Sequence, residues 1–139
     1  MTVSSSFVLD SFALLAFLQD EPVASRIEKL LESAGKQKYR LFLSLINLGE
    51  LLYITERRGG VARAQDTLAL IYQLPIEIVP ADEQTVFAAA HIKANHSISY
   101  ADAFAVAIAM REEATILTGD PEFRSVEMFV HIEWLPTPA

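Results

Sequence analysis

Cysteine is absent from this chain of 139 residues, so neither disulfides nor thiolate metal sites are open to it. Long apolar runs are missing too. The longest, FALLAFL and AFAVAIAM, span seven and eight residues, against the roughly 20 that a transmembrane helix needs. Positive charge is scarce: 11 Lys and Arg face 18 Asp and Glu, for a formal net charge of −7. The opening MTVSSS carries no basic residue, which does not suit a secretory signal. The expectation is a cytoplasmic protein with no membrane attachment. The acidic balance also argues against a broad basic face of the kind that binds polyphosphates. The basic residues that exist are local, at Lys36, Lys38 and Arg40 and at Arg57, Arg58 and Arg63.

With 52% hydrophobic and 21% charged residues, the composition is that of an ordinary folded protein. No repeat, low-complexity tract or linker interrupts it, so residues 1–139 read as one domain, long enough to bury about two-thirds of its unfolded surface. Alternating elements follow along the chain. SFVLD (6–10) reads as a strand and SFALLAFLQD (11–20) as a helix. EPVASRIEKLLESAG (21–35) reads as a helix with Pro22 in its first turn and Gly35 at its end. YRLFLSL (39–45) reads as a buried strand and INLGELLYITERRGG (46–60) as a helix. VARAQDTLALIYQL (61–74) is a helix and IEIVPA (76–81) a strand. DEQTVFAAAHIKAN (82–95) and the nearly all-apolar ISYADAFAVAIAMREE (98–113) are helices. ATILTGD (114–120) and FVHIEWL (129–135) complete the strands. Strands alternating with helices imply a three-layer α/β/α domain with a mostly parallel sheet of about five strands. In such sheets the functional crevice lies beyond the carboxyl ends of the strands.

Four acids attract attention on that basis. Asp10 and Asp120 each end a strand, and in a parallel sheet they share one rim. Glu50 lies on a helix with Ile46, Tyr53 and Ile54 at helical spacing, and Asp102 is followed at the same spacing by Ala105, Val106 and Ala109. Both carboxylates thus sit on apolar stripes with no Lys or Arg placed to pair with them. That costs several kcal/mol unless a partner or a metal holds the charge. Capping offers simpler duties for three of the four. Asp10 suits the N-cap of the helix from Ser11, Asp120 before Pro121 suits another, and Ser99 with Asp102 has capping-box spacing. Glu50 has no such duty.

The runs VLDSFALLAFL, SLINLGELLY, SYADAFAVAIAM and TILTGDPEF, in that order, resemble the PIN-domain ribonucleases, specifically the VapC-type toxins of toxin–antitoxin pairs. In that pattern an aspartate follows the first strand, a glutamate sits on a helix some forty residues later, an Asp-Ala lies on a late helix, and a Thr-x-Asp follows the next strand. Here the positions are Asp10, Glu50, Asp102 and Asp120, at intervals of 40, 52 and 18 residues, with Thr118 two before the last. One departure is Phe12, where many relatives carry Ser or Asn; Ser11 is the adjacent hydroxyl.

The resemblance implies a PIN-like fold and a metal-dependent endoribonuclease, a hydrolase using Mg²⁺ or Mn²⁺, for which an all-oxygen carboxylate set is a natural site. It assigns Asp10 and Asp102 to the main ion, and Glu50 and Asp120 to a second ion or to the attacking water. Thr118 and Ser11 would hydrogen-bond a carboxylate or a phosphate oxygen. The implied partners are an RNA substrate, a cognate antitoxin and a second copy of the chain in a homodimer. Phe12, Leu15, Phe17 and Leu18 on the first helix would either pack in the core or line a dimer or antitoxin groove. Arg57 and Arg58 suit the end of the Glu50 helix, with RNA contact as the alternative reading. His91 and His131 have surface or satisfied positions, His96 lies in a turn six residues before Asp102, and Trp134 suits core or interface.

Two rivals fail on their motifs. A response-regulator receiver would need an acidic pair before the end of the first strand, an aspartate after the third and a lysine after the fifth. A haloacid-dehalogenase-like phosphatase would need an aspartate where Phe12 stands. The remaining alternatives are an inactive PIN-like interaction module and a housekeeping PIN nuclease without a toxin role.

Overall fold

Strands with apolar side chains on both faces demand cover on both sides, and the computed structural model, which describes residues 6–19 and 24–136, provides it. Five strands form one sheet: β1 (Ser6–Leu9), β2 (Arg40–Ser44), β3 (Glu77–Val79), β4 (Thr115–Thr118) and β5 (Ile132–Trp134). Their spatial order is β3-β2-β1-β4-β5, and every neighbouring pair is parallel. Six helices connect them: α1 (Ser11–Leu18), α2 (Ala24–Gly35), α3 (Leu45–Gly59), α4 (Val61–Gln73), α5 (Glu83–Asn95) and α6 (Tyr100–Glu112). A short 3-10 helix, Pro121–Val126, follows β4. The expected three-layer α/β/α arrangement is therefore present.

Successive residues of a strand point to opposite faces, and the two core clusters divide accordingly. Val8, Phe42 and Ile116 face α5, α6 and the 3-10 helix, packing with Phe104, Ile108 and Phe123. Phe7, Leu9, Leu41, Leu43 and Leu117 face the other way, against Leu14, Ile27, Leu48, Leu51 and Ile71 of α1 to α4. Helix α6 is buried nearly all round, from Asp102 to Ala109, which explains its uniformly apolar sequence.

The element boundaries differ from the sequence reading by small amounts. FVHIEWL contributes only Ile132–Trp134 as strand, because Phe129 and Val130 close the turn after the 3-10 helix through bonds to Val126. Trp134 does not enter the core: it is 39% exposed on the edge strand, with the Arg124 guanidinium 5.9 Å from its ring centre. Phe12, Leu15, Phe17 and Leu18 are half-buried against the second core cluster. The Pro22 start of α2 lies outside the described residues. Among those described, no helix is long and apolar enough to cross a membrane.

Candidate active site

The strand order reverses between β1 and β4: after β1 the chain builds outward through β2 and β3, then returns to place β4 on the other side. At such a switch point the loops leave in opposite directions and open a crevice at the carboxyl ends. Asp10 follows β1 directly, and Thr118, Gly119 and Asp120 follow the neighbouring β4. The Thr118 hydroxyl donates to Asp10 Oδ2 at 2.5 Å, while its oxygen accepts the Asp120 backbone N–H at 3.0 Å. The other Asp10 oxygen accepts the Ala13 N–H at 2.8 Å and so caps α1. Asp120 caps the 3-10 helix through the Glu122 N–H at 2.9 Å. Both acids thus have the expected capping duty, and each caps with one oxygen only.

Helix α3 begins at the end of β2, where Ser44 caps it through the Ile46 N–H. This places Glu50 near the rim, and the Ser11 hydroxyl reaches across to donate to Glu50 Oε1 at 2.6 Å. Asn47, fully buried one turn earlier, points its Nδ2 at the same oxygen at 3.5 Å and at the Ala101 carbonyl at 3.3 Å. Its Oδ1 is buried without a hydrogen-bond partner.

Asp102 lies in the first turn of α6, and its N–H bonds the Ser99 hydroxyl at 3.2 Å. A full capping box would have the third residue's carboxylate accept the Ser99 N–H. That N–H is taken instead by Glu122 Oε1. The exchange ties the 3-10 helix to α6 and relieves Asp102 of the return half of the box. Oxygens of Asp102, Asp120 and Glu122 all lie within 4.8 Å of one another.

At these separations the acids act on one another's charge. Burial pushes the Asp10 carboxyl up to a pKa of about 7. The Thr118 and Ala13 hydrogen bonds pull it down, and the charges of Asp120 and Glu50 push it further up. Burial likewise raises Asp102 to about 8, reinforced by Asp10, Asp120 and Glu50, with Ser99 offsetting part of the effect. No cation figures among the groups that shift either one. Among the described residues the ion pairs lie elsewhere, joining Arg26 to Glu133, Arg40 to Glu77 and Glu112, and Arg111 to Glu112.

Asp10, Glu50, Asp102 and Asp120 are therefore brought together, with Ser11 and Thr118 hydrogen-bonded to two of them. One part of the sequence reading needs correction. Glu50 is not on the core stripe of its helix, which consists of Asn47, Leu48, Leu51 and Thr55; Glu50 is half-buried and the neighbouring Tyr53 is 50% exposed. On the Ile46, Tyr53 and Ile54 flank, Ile46 packs against the first core cluster, Ile54 is half-buried and Tyr53 is exposed. Sequence reasoning missed Asn47 and Glu122. Phe12 lies against Gly119, where an added Cβ would run into the ring edge and come within 3.2 Å of the Leu135 carbonyl. Phe12 thus packs on the backbone between Thr118 and Asp120. His96 packs against Phe129, with ring centres 4.8 Å apart and the planes tilted by 42°.

This combination of a parallel 3-2-1-4-5 sheet and acids gathered at its switch point matches one family model, the PIN domain, over residues 7–127. The chain belongs to the PIN domain family. Its fold is that of VapC-type structures. The VapBC of Salmonella typhimurium, bound to DNA, superposes with a TM-score of 0.71 at 18% identity, covering 92% of this chain and 96% of that one. VapBC2 of Rickettsia felis, bound to a DNA fragment from its promoter, gives 0.70 at 19%, covering 92% and 97%. VapC20 of Mycobacterium tuberculosis, a sarcin-ricin loop cleaving toxin, gives 0.67 at 19%, covering 86% and 93%. A search of curated protein sequences finds no match.

Proposed function

We propose that this protein is a divalent-metal-dependent endoribonuclease and the toxin of a toxin–antitoxin pair. The observation that carries the reading is the gathering of five carboxylates from four separate stretches of chain, three of them with oxygens within 4.8 Å of one another. Such a set is electrostatically unfavourable alone: two charges about 4 Å apart repel by roughly 4 kcal/mol at an effective dielectric near 20. Its donors are all carboxylate oxygens, which suit Mg²⁺ or Mn²⁺ and not softer ions. The residues present fit such an ion.

Asp10, Asp102 and Asp120 would hold the ion, with Glu122 beside them and Glu50 available for a second ion or for the attacking water. A bound divalent cation supplies an acidified water and neutralises charge on the phosphate. The protein's own groups do the orienting. Thr118 commits its proton to Asp10 and its lone pair to the Asp120 backbone, so two ligands are set relative to each other. Ser11 turns Glu50 toward the crevice, and the Glu122 bond to Ser99 holds the N-terminus of α6 against the 3-10 helix. Nothing in this scheme uses a 2′-hydroxyl, so products should carry 5′-phosphate and 3′-hydroxyl ends.

The likeness to VapBC structures supports a cognate antitoxin as partner. A groove of about 480 Å³ beside α1 suits a segment of such a partner. Leu15 and Leu18 offer an apolar floor, and Arg63 offers charge for acidic side chains. A homodimer and a cytoplasmic setting belong to the same reading. The direct test is induced expression with and without the antitoxin, followed by mapping of RNA ends. Growth arrest with new 5′-phosphate ends, relieved by the antitoxin and lost in Asp10→Asn, is the expected result. Cleavage that persists in Asp10→Asn would overturn the assignment. Absence of arrest and of cleavage would favour an inactive interaction module.

A further inference from the structure

Helix α3 carries Glu50 into the crevice and then runs away from it. Tyr53 and Arg57 follow Glu50 at plus three and plus seven, so the three side chains lie along one face of the helix. Tyr53 is 50% exposed, and the Arg57 guanidinium lies over its ring, 5.0 Å from the centre. Arg26, Arg40 and Arg111 are each taken up by a carboxylate. Arg57 has no such partner among the described residues, and its cation is held by the tyrosine face.

The distance suits a substrate. Seven residues of helix span about 10 Å, which is the reach of one to two nucleotides of single-stranded chain. A strand with one phosphate at the acidic crevice would bring a neighbouring phosphate to Arg57 and an intervening base over Tyr53. The acidic crevice and the −7 net charge both repel a polyanion, so local cation placement has to provide the attraction. Stacking on an exposed aromatic ring is a sequence-tolerant way to hold a base beside it.

We propose that Tyr53 and Arg57 form a ledge for a nucleotide flanking the scissile phosphate, the ring stacking the base and the guanidinium meeting the backbone. This rests on the ribonuclease reading above. A second copy of the chain is the competing occupant, since Leu45 and Tyr53 are both exposed on this helix. Alignment with Glu50 favours the substrate.

The test is steady-state cleavage of a short fluorescent single-stranded RNA in Mn²⁺ by wild type, Tyr53→Ala, Tyr53→Phe and Arg57→Gln, with the mass of each measured by light scattering. Tyr53→Ala should raise KM about ten-fold, with Tyr53→Phe restoring it. Arg57→Gln should raise KM and lower the slope of log KM against log salt by about one. Mass should not change. The ledge is overturned if these variants match wild type, if Tyr53→Phe behaves as Tyr53→Ala, or if either Tyr53→Ala or Arg57→Gln turns a dimer into a monomer. A wild type that cuts no RNA in Mn²⁺ sinks the ribonuclease reading itself, and the ledge with it.

Discussion

Thr118 and Asp10 stand 108 positions apart in the chain and meet at 2.5 Å across two neighbouring strand ends. The bond stabilises the charged form of a carboxylate that burial pushes toward neutrality. Thr118→Val keeps the shape and removes the donor, so the Asp10 pKa should rise above about 7. The alkaline shift should appear in the carboxyl NMR titration profile of the metal-free protein, together with a stability loss of about 1–3 kcal/mol for a buried group left unsatisfied. Thr118→Ser keeps the hydroxyl and should restore most of both. An unchanged profile in Thr118→Val would show that the bond does not tune Asp10.

The raised carboxyls also set the pH dependence of the metal-free protein. Asp10 and Asp102 bind protons more tightly folded than unfolded, so their contribution to stability is fully present below about pH 4. It is lost as pH rises through about 7 and about 8. Glu77, Asp82 and Glu133 are shifted down, and their opposite contribution is lost only as pH falls below the ordinary carboxylate range. Thermal melts in EDTA should therefore show a higher Tm at pH 5.5 than at pH 8.5. Asp102→Asn should narrow the difference by raising the Tm at pH 8.5. A Tm that climbs with pH across this window would contradict the account.

Gly119 makes room for the Phe12 ring on the backbone between two site residues. Gly119→Ala should cost about 1–3 kcal/mol through overpacking and should reduce cleavage by moving Asp120. In a Phe12→Ala background the added methyl meets open space on that side, so its cost should shrink. Denaturant unfolding of the four-protein cycle measures the coupling. Additive costs would show that ring and glycine do not interact.

Much of this arrangement was legible in the sequence because a parallel sheet places strand ends predictably. Once SFVLD and ATILTGD are read as parallel strands, Asp10 and Asp120 must share a rim, and the Asp120-Pro121 pair marks the helical turn that follows. Asp102 was legible for a different reason: α6 is buried nearly all round, so any acid on it is conspicuous. The core-stripe argument for Glu50 was faulty, and its side chain instead meets Ser11 across the rim. Helical spacing groups Ile46, Glu50, Tyr53 and Ile54 on one flank, but spacing alone does not show that this flank runs from a core contact at Ile46 to an exposed ring at Tyr53. Glu122 left little trace, because an acid in a helix's first turn is ordinary. Its position two residues beyond Asp120 at a strand end was the available signal. Asn47 became visible only when its amide was found buried between Glu50 and the Ala101 carbonyl.

Glu122 and Asp102 also separate capping from ligation. Glu122→Gln keeps an oxygen for the Ser99 N–H, so the folded state should survive with a Tm close to wild type, while a charge is lost from the oxygens grouped with Asp102 and Asp120. Weaker metal binding with an intact fold is the expected outcome. A Glu122→Gln protein that melts much earlier yet binds metal normally would assign Glu122 to the fold alone.

The most direct check on the account is a calorimetric titration of Mn²⁺ into the purified protein at pH 8, for wild type and Asp102→Asn side by side. Saturable binding by wild type that falls at least ten-fold in affinity in the variant is the predicted result. No saturable binding by wild type, or equal affinity in the two proteins, would contradict the claim that these carboxylates gather to hold a divalent ion.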